Sequence, residues 1–275
     1  MIEILNTIIC YNNVAEVITY IKKVSELKDA DKTAIMVVVN KIDNDTIEHL
    51  QNEIKKINIL TYIYNPMQNL GYINGMLKGY EEYLKISEDT LKYVIMSNTD
   101  IDYPDINFIS KLLGNRYEEE VWSIGPAVYS PNMRNYDNPV LEKRRTKRAV
   151  MKTISIFRTP ILNRIYYFLA VLKSKFIKRD KGKSRIVYEI HGCYFIVRPC
   201  LAKKMLDNQF GALLYSEEAY VAENVYSSNK KTFYDSDLLV YHMEHSVTGK
   251  LDFKKFANYI ADSMEVILKE FYYEK

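Results

Sequence analysis

Over roughly its first hundred residues this chain alternates short apolar runs, rich in β-branched side chains, with stretches of helical spacing. Residues 3–10 read as a buried strand closed by the polar Tyr11-Asn12-Asn13. Val14, Val17, Ile18, Ile21 and Val24 then fall on one stripe of a helix over 14–27. Residues 34–39 read as a second strand, 46–57 as a helix and 59–64 as a third strand. Asn65-Pro66 stops that strand, and Gly71 and Gly75 flank the entry to a helix ending near Leu84. Residues 92–96 are a fourth strand. Such alternation makes βαβ units, and so a parallel sheet covered on both faces. Ligands of these sheets bind at the carboxyl ends of strands. The segments 11–13, 40–43, 65–71 and 98–102 all follow strands and are rich in Asn and Asp. They are expected to line one edge together. Beyond Asp102 the regularity fades: 122–129 and 187–197 read as strands, 217–228 and 251–273 as helices.

Asp100 and Asp102 lie on the turn after the fourth strand. Carboxylates at i and i+2 can face one divalent cation, and Mg²⁺ and Mn²⁺ take carboxylates together with phosphate oxygens and water. The plain alternative is a pair of solvated turn residues, since Asp is a favoured turn former. Spacing alone does not choose between them.

The formal charge of +3 hides an asymmetry. Residues 142–185 hold 15 Lys and Arg against 2 acids, a net +13, so the remainder of the chain carries −10. Inside this block, 154–177 interleaves Ile156, Phe157, Ile161, Leu162, Ile165, Tyr166, Phe168, Leu169 and Leu172 with basic residues, and Thr159-Pro160 is expected to break it into two helices. That composition suits an interfacial amphipathic segment drawn to anionic lipid. A helical hairpin packing its apolar side on the domain is the alternative. Charge alone would also allow nucleic acid, but no recognised nucleic-acid module accompanies the block, and no nucleic-acid partner is expected. Cys10, Cys193 and Cys200 are odd in number and not spaced as metal ligands, so packed, reduced thiols are expected. Met1-Ile2-Glu3 lacks the basic start of a secretory signal, and no apolar run reaches the roughly 18–20 residues a membrane span needs. A cytoplasmic protein, peripheral on the inner membrane face, is the expectation.

Seven stretches, in order, carry a resemblance. They are Thr7-Ile8-Ile9-Cys10-Tyr11-Asn12, Val37-Val38-Val39-Asn40-Lys41-Ile42-Asp43, Asn69-Leu70-Gly71-Tyr72, Met96-Ser97-Asn98-Thr99-Asp100, His191-Gly192-Cys193-Tyr194-Phe195-Ile196-Val197-Arg198, Tyr215-Ser216-Glu217-Glu218, and Val240-Tyr241-His242 followed by Ser246-Val247-Thr248-Gly249-Lys250. The chain resembles the family 2 glycosyltransferases of GT-A fold, and more narrowly their bacterial rhamnosyltransferase-like branch. That implies a Rossmann-like, mixed, mostly parallel sheet flanked by helices, with a basic helical insertion over 141–185 and a C-terminal helix. It implies a nucleotide-sugar-binding half over 1–103 and an acceptor-binding half over 104–275. Two departures stand out: Asn40 replaces the family's usual Asp, and Glu217-Glu218 replaces its Glu-Asp pair.

The resemblance further implies a role for each site residue. Thr7, Tyr11, Asn12, Asn40, Asp43, Asn69, Gly71, Asn98 and Thr99 would hold a nucleotide-diphosphate sugar. Asp100, Asp102 and His242 would hold Mn²⁺ or Mg²⁺, with the motif frame at Asn98-x-Asp100 and Asp100 as principal ligand. Glu218 would take the proton of the acceptor hydroxyl, with Glu217 beside it. His191 and Gly192 would contact the acceptor, a surface polysaccharide or lipid-linked glycan. Ser216 is also expected to cap the helix that the two acids open. Thr248-Gly249-Lys250 lies in no strand–loop–helix frame and is not a Walker-type loop; Ser246 and Lys250 remain candidates to touch the diphosphate. His245 is a weaker ligand candidate than His242, and His49 has no role. Two other readings stay open, an inactive membrane-bound scaffold of the same fold and a sugar nucleotidyltransferase. The second would need a Gly-rich basic loop after the first strand, where Tyr11-Asn12-Asn13 offers none.

Overall fold

The computed structural model describes residues 1–40, 44–176, 178–243 and 252–273. Asp43, His245, Ser246 and the Thr248-Gly249-Lys250 stretch lie outside the described residues. The expected alternation opens the fold: β1 (Ile4–Cys10), α1 (Val14–Ser25), β2 (Thr33–Val39), α2 (Asn44–Ile54), β3 (Leu60–Tyr64), α3 (Ile73–Ile86) and β4 (Tyr93–Ser97). After it come β5 (Ile101–Asp102), α4 (Phe108–Gly114), β6 (Val121–Ser130), β7 (Asn135–Tyr136), α5 (Lys147–Arg158) and α6 (Pro160–Phe176). The chain continues through β8 (Arg185–Val187), β9 (Tyr194–Val197), α7 (Pro199–Asp207), α8 (Glu217–Ser227), β10 (Lys231–His242) and α9 (Phe253–Phe271).

The strands form one mixed sheet in the order β3-β2-β1-β4-β9-β6-β10-β5, with β7 beside β6 and β8 beside β10. Most of its ladder is parallel: β3, β2, β1 and β4 pair this way, as do β6 and β10. β9 runs antiparallel between β4 and β6. The strand order reverses at β1, which sits between β2 and β4, so the loops leaving β1 and β4 open a crevice.

Successive residues of a strand face opposite sides, and both sides here are covered. In β2, Ile35, Val37 and Val39 enter one core with α1, α2 and α4, while Ala34, Met36 and Val38 enter the other with α3, α7 and α8. That is why the run is apolar without alternation. Each such side chain, fully buried, contributes about 1.5–3 kcal/mol. Gly75 and Gly79 bring α3 close to the sheet, since a Cβ there would stand 2.7 Å from Ile9 Cδ1 and 2.7 Å from Val38 Cγ2.

The stretch 187–197, expected as one strand, is divided. β8 pairs with β10 and β9 pairs with β4 and β6, and the turn between them carries His191-Gly192-Cys193. The basic block also divides, at Thr159. α5 packs on α9 through Val150, Met264 and Leu268, and Arg144 and Arg145 pair with the buried Glu223 and Glu189. Among the described residues no helix is long and apolar enough to cross a membrane.

Candidate active site

A cavity of ≈ 400 Å³ opens where β1, β2 and β4 end. Its floor is the turn after β4. Beneath that turn a chain of hydroxyls fixes the strand end: Asn6 Nδ2 donates to Tyr20 Oη (2.6 Å), which meets Ser97 Oγ (2.7 Å) and Tyr103 Oη (2.9 Å). Asn98 N donates to the Cys193 carbonyl (2.8 Å), and Met243 N to the Asp100 carbonyl (2.9 Å). β10 pairs with β5 so that His242 stands opposite Ile101. The pairing puts His242 Nε2 3.4 Å from Asp100 Oδ1 and 3.4 Å from Asn98 Nδ2. Burial alone would raise the Asp100 carboxyl, yet its contacts with His242 and Asn98 hold it below the ordinary carboxylate value.

The loops after β1, β2 and β3 close one wall. Asn40 Nδ2 donates to the Gly71 carbonyl (2.9 Å) and Asn40 Oδ1 accepts from Leu70 N (3.4 Å). Gly71 N donates to Asn69 Oδ1 (2.9 Å). At φ +79° Gly71 is in the left-handed region, and a Cβ there would stand 2.4 Å from the Leu213 carbonyl oxygen. Asn13 links Glu16 and Thr99, at 2.9 Å each, and Thr99 Oγ1 donates to Glu16.

The segment entering α8 adds the acids to the lining. Tyr215 (φ 69°) and Ser216 (φ 62°) are consecutive left-handed residues, which turn the chain sharply into α8. Ser216 takes the cap position, but its hydroxyl makes no cap bond and meets Ser263 Oγ on α9 instead, at 2.8 Å. Tyr215 N donates to Glu217 Oε1 (2.8 Å). Burial, and then the charge of Glu218, push the Glu217 carboxyl well above the usual carboxylate range. A Cβ on Gly192 would stand 3.1 Å from the Glu218 carboxyl, so a larger residue there would make that carboxylate give by a few tenths of an ångström. Tyr72 Oη donates to the Gly192 carbonyl (3.0 Å) and fixes the turn.

Tyr11, Asn40, Asn69, Gly71, Asn98, Thr99, Asp100, His191, Gly192, Glu217 and Glu218 thus line one cavity, with His242 against Asp100. Three expected residues are not brought there. Thr7 is buried in β1 and donates to the Ile95 carbonyl (3.2 Å). Asn12 (φ 57°) is exposed on the turn after β1 and is not among the residues lining the cavity. Asp102 turns to Lys23, 3.4 Å away, and its other oxygen accepts from Tyr103 N (2.9 Å). Other lining residues were given no site role by the sequence, namely Glu16, Cys193, Tyr215 and Tyr259, while Asn13 belongs to the 11–13 segment expected at this edge. Glu16 reads in sequence as the polar face of a helix, whereas Cys193 left a trace in its two-residue spacing from His191.

No protein-family model and no curated protein matches the chain. Solved structures do. A mannosyltransferase from Pyrobaculum calidifontis, in complex with GDP-Man and Mn²⁺, superposes with TM-score 0.54 at 11% identity, over 87% of this chain and 56% of its own. A mycobacterial protein gives 0.54 at 12% identity, over 99% of this chain and 76% of its own. GalNAc-T7, with UDP, GalNAc and Mn²⁺, gives 0.54 at 11% identity, over 90% of this chain and 44% of its own. The chain thus spans about half the length of the two transferases. At these identities the likeness concerns the fold, which is the GT-A fold.

Proposed function

We propose that this chain is an inverting glycosyltransferase. In this reading it moves a sugar from a nucleotide-diphosphate donor, UDP- or dTDP-linked, to a growing bacterial surface polysaccharide or lipid-linked glycan. One observation carries the reading: the carboxyl pair of α8 and Asp100, itself against His242, line a single cavity in a GT-A fold. Residues 1–103 supply the donor side and 104–275 the acceptor side. Glu218 takes the proton of the acceptor hydroxyl as that oxygen attacks the anomeric carbon, and the nucleoside diphosphate leaves. Asn98 meets the diphosphate end. A buried carboxylate beside an imidazole is a donor set that Mn²⁺ or Mg²⁺ accepts, and Asp100 and His242 would hold the ion. When bound, such an ion neutralises the charge of the diphosphate. The rhamnosyltransferase-like branch is part of the same proposal.

A thermal-shift series with UDP, dTDP and GDP, each with Mn²⁺ or with EDTA, tests it. Saturating nucleotide and Mn²⁺ should raise Tm by about 5 °C, following ~2.7 kcal/mol of linkage at a hundredfold excess over Kd. EDTA should abolish the rise. An unmoved Tm with every nucleotide would favour the inactive scaffold.

The partner surface in this proposal is an anionic membrane, met through α6. Ile161 is 71% exposed, Phe168 62% and Leu169 56%, and Ile165, Tyr166 and Tyr167 are exposed as well. α5 packs Val150 on α9, whereas these α6 side chains stay exposed among the described residues, inside the +13 block. Aromatic contacts lead from the cavity towards it: Tyr215 to Phe256 (5.0 Å), Phe256 to Phe157 (6.4 Å), Phe157 to Tyr166 (5.5 Å). A lipid-borne acceptor would be presented along that path. In vesicle flotation the protein should rise with phosphatidylglycerol vesicles and stay down with neutral ones, and the double variant Ile165→Glu, Phe168→Glu should stay down with both. Equal flotation of variant and wild type would remove α6 from the reading.

A further inference from the structure

We propose that the cation site beside Asp100 is thiolate-bearing, with Cys193 and His191 joining His242 in a set that prefers Zn²⁺ or Co²⁺ to Mn²⁺ or Mg²⁺. One ligand atom each from His191, Cys193 and His242 lies within 4.8 Å of the others, the only such group among the described residues. Two distant stretches are brought together to make it. The turn between β8 and β9 brings His191 and Cys193, and the end of β10 brings His242, whose ring centroid is 5.5 Å from that of His191. The Cys193 carbonyl accepts from Asn98 N (2.8 Å), which locks the thiol-bearing turn to the turn of Asp100. Asp100 Oδ1 then stands 3.4 Å from His242 Nε2.

A buried cysteine is by itself only a small apolar residue. The neighbours change its meaning. Two imidazoles and a sulfur make the N, S set that suits zinc, with the Asp100 carboxylate 3.4 Å from His242 beside it, whereas Mg²⁺ favours oxygen ligands. Ligands of a tetrahedral zinc are roughly 3.5 Å apart, given Zn–S and Zn–N lengths of about 2.3 and 2.1 Å. The group therefore closes by about 1 Å when it binds. His191 Nδ1 accepts the Cys193 N–H at 3.2 Å, and the ring gives up that long bond when it turns a lone pair to the ion. Binding also removes the thiol proton, since a thiol on a metal ionises.

This inference rests on the metal role proposed for Asp100 and His242, and cobalt separates the two. Titrating Co²⁺ into the intact protein without any donor should produce a thiolate-to-cobalt charge-transfer band in the near ultraviolet, with the visible bands of a four-coordinate ion. Cys193→Ser should lose the charge-transfer band, and Cys200→Ser should keep it. Competition should show Zn²⁺ binding tighter than Mn²⁺, and Cys193→Ser should narrow that margin by at least about tenfold. A cobalt-saturated wild type without the thiolate band would overturn the proposal even if Cys193→Ser failed to fold. So would a band that persists in Cys193→Ser. If either came with an intact Mn²⁺-dependent nucleotide response, the transferase reading would stand and only the thiolate would fall.

Discussion

Glu218→Gln is expected to lower sugar transfer by about 10²–10⁴-fold while leaving donor binding within about twofold. Glutamine keeps the size of the side chain and the first turn of α8, so nothing in the packing against Gly192 changes. What goes is the ability to accept a proton. The side of the cavity proposed to take the nucleotide, from Tyr11 to Thr99, sits on other loops and is untouched. Donor affinity by calorimetry and turnover with acceptor therefore separate, and turnover at the wild-type rate would take the base away from Glu218. Glu217→Gln tests the other half of the pair. A carboxyl raised on folding keeps its proton where the unfolded chain has lost it, so Glu217 costs stability as pH climbs past the ordinary carboxylate value. The variant should melt several degrees higher near pH 8 and almost unchanged near pH 4.

The two carboxylates also show how far a sequence can be read. β1 to β4 were legible because each is a continuous apolar run between helices of regular spacing, and the crevice followed from strand order. β10 was legible only at its end. Its middle, Asp235-Ser236-Asp237, looks like a turn, but the register against β6 jumps between Asp235 and Leu239 and absorbs those residues in an irregularity. Asp235 is then buried and accepts from Asn115 (3.0 Å) and Tyr117 (2.6 Å). No local pattern announces partners 120 and 118 residues away. Only the resemblance joined His242 to Asp100 in advance, and the place of Cys193 beside both histidines depends on the same long-range packing. Single residues misread for a related reason. Thr7 belongs to a motif that borders the cavity, but its own side chain points across the strand pair to Ile95. Motif membership gives a neighbourhood, and the two-residue period of a strand decides which members face the ligand.

Asp100→Asn is expected to abolish the Mn²⁺-dependent thermal response and to reduce transfer by roughly 10²–10³-fold, whereas Asp102→Asn should leave both near the wild-type level. The contrast follows from where the two carboxylates point. Asp100 is almost wholly buried, its side chain 4% exposed, and lies against His242 inside the cavity. Asp102 is 42% exposed in its side chain and faces Lys23, outside the cavity lining. Asparagine at 100 keeps the shape and one acceptor but removes the charge that a cation requires. The polar contacts of the turn do not depend on that charge, since the Asp100 carbonyl still accepts from Met243 N and Asn98 N still donates to Cys193. The fold should therefore survive, and the loss should appear in cation binding first. If Asp102→Asn instead silenced the Mn²⁺ response and Asp100→Asn did not, Asp102 would be the ligand, and the contact between Asp100 and His242 would be a structural one. Equal loss in both would require Asp102 to leave Lys23 and join Asp100 on the ion. Each outcome is separable by measuring Mn²⁺ affinity and transfer on the same two variants.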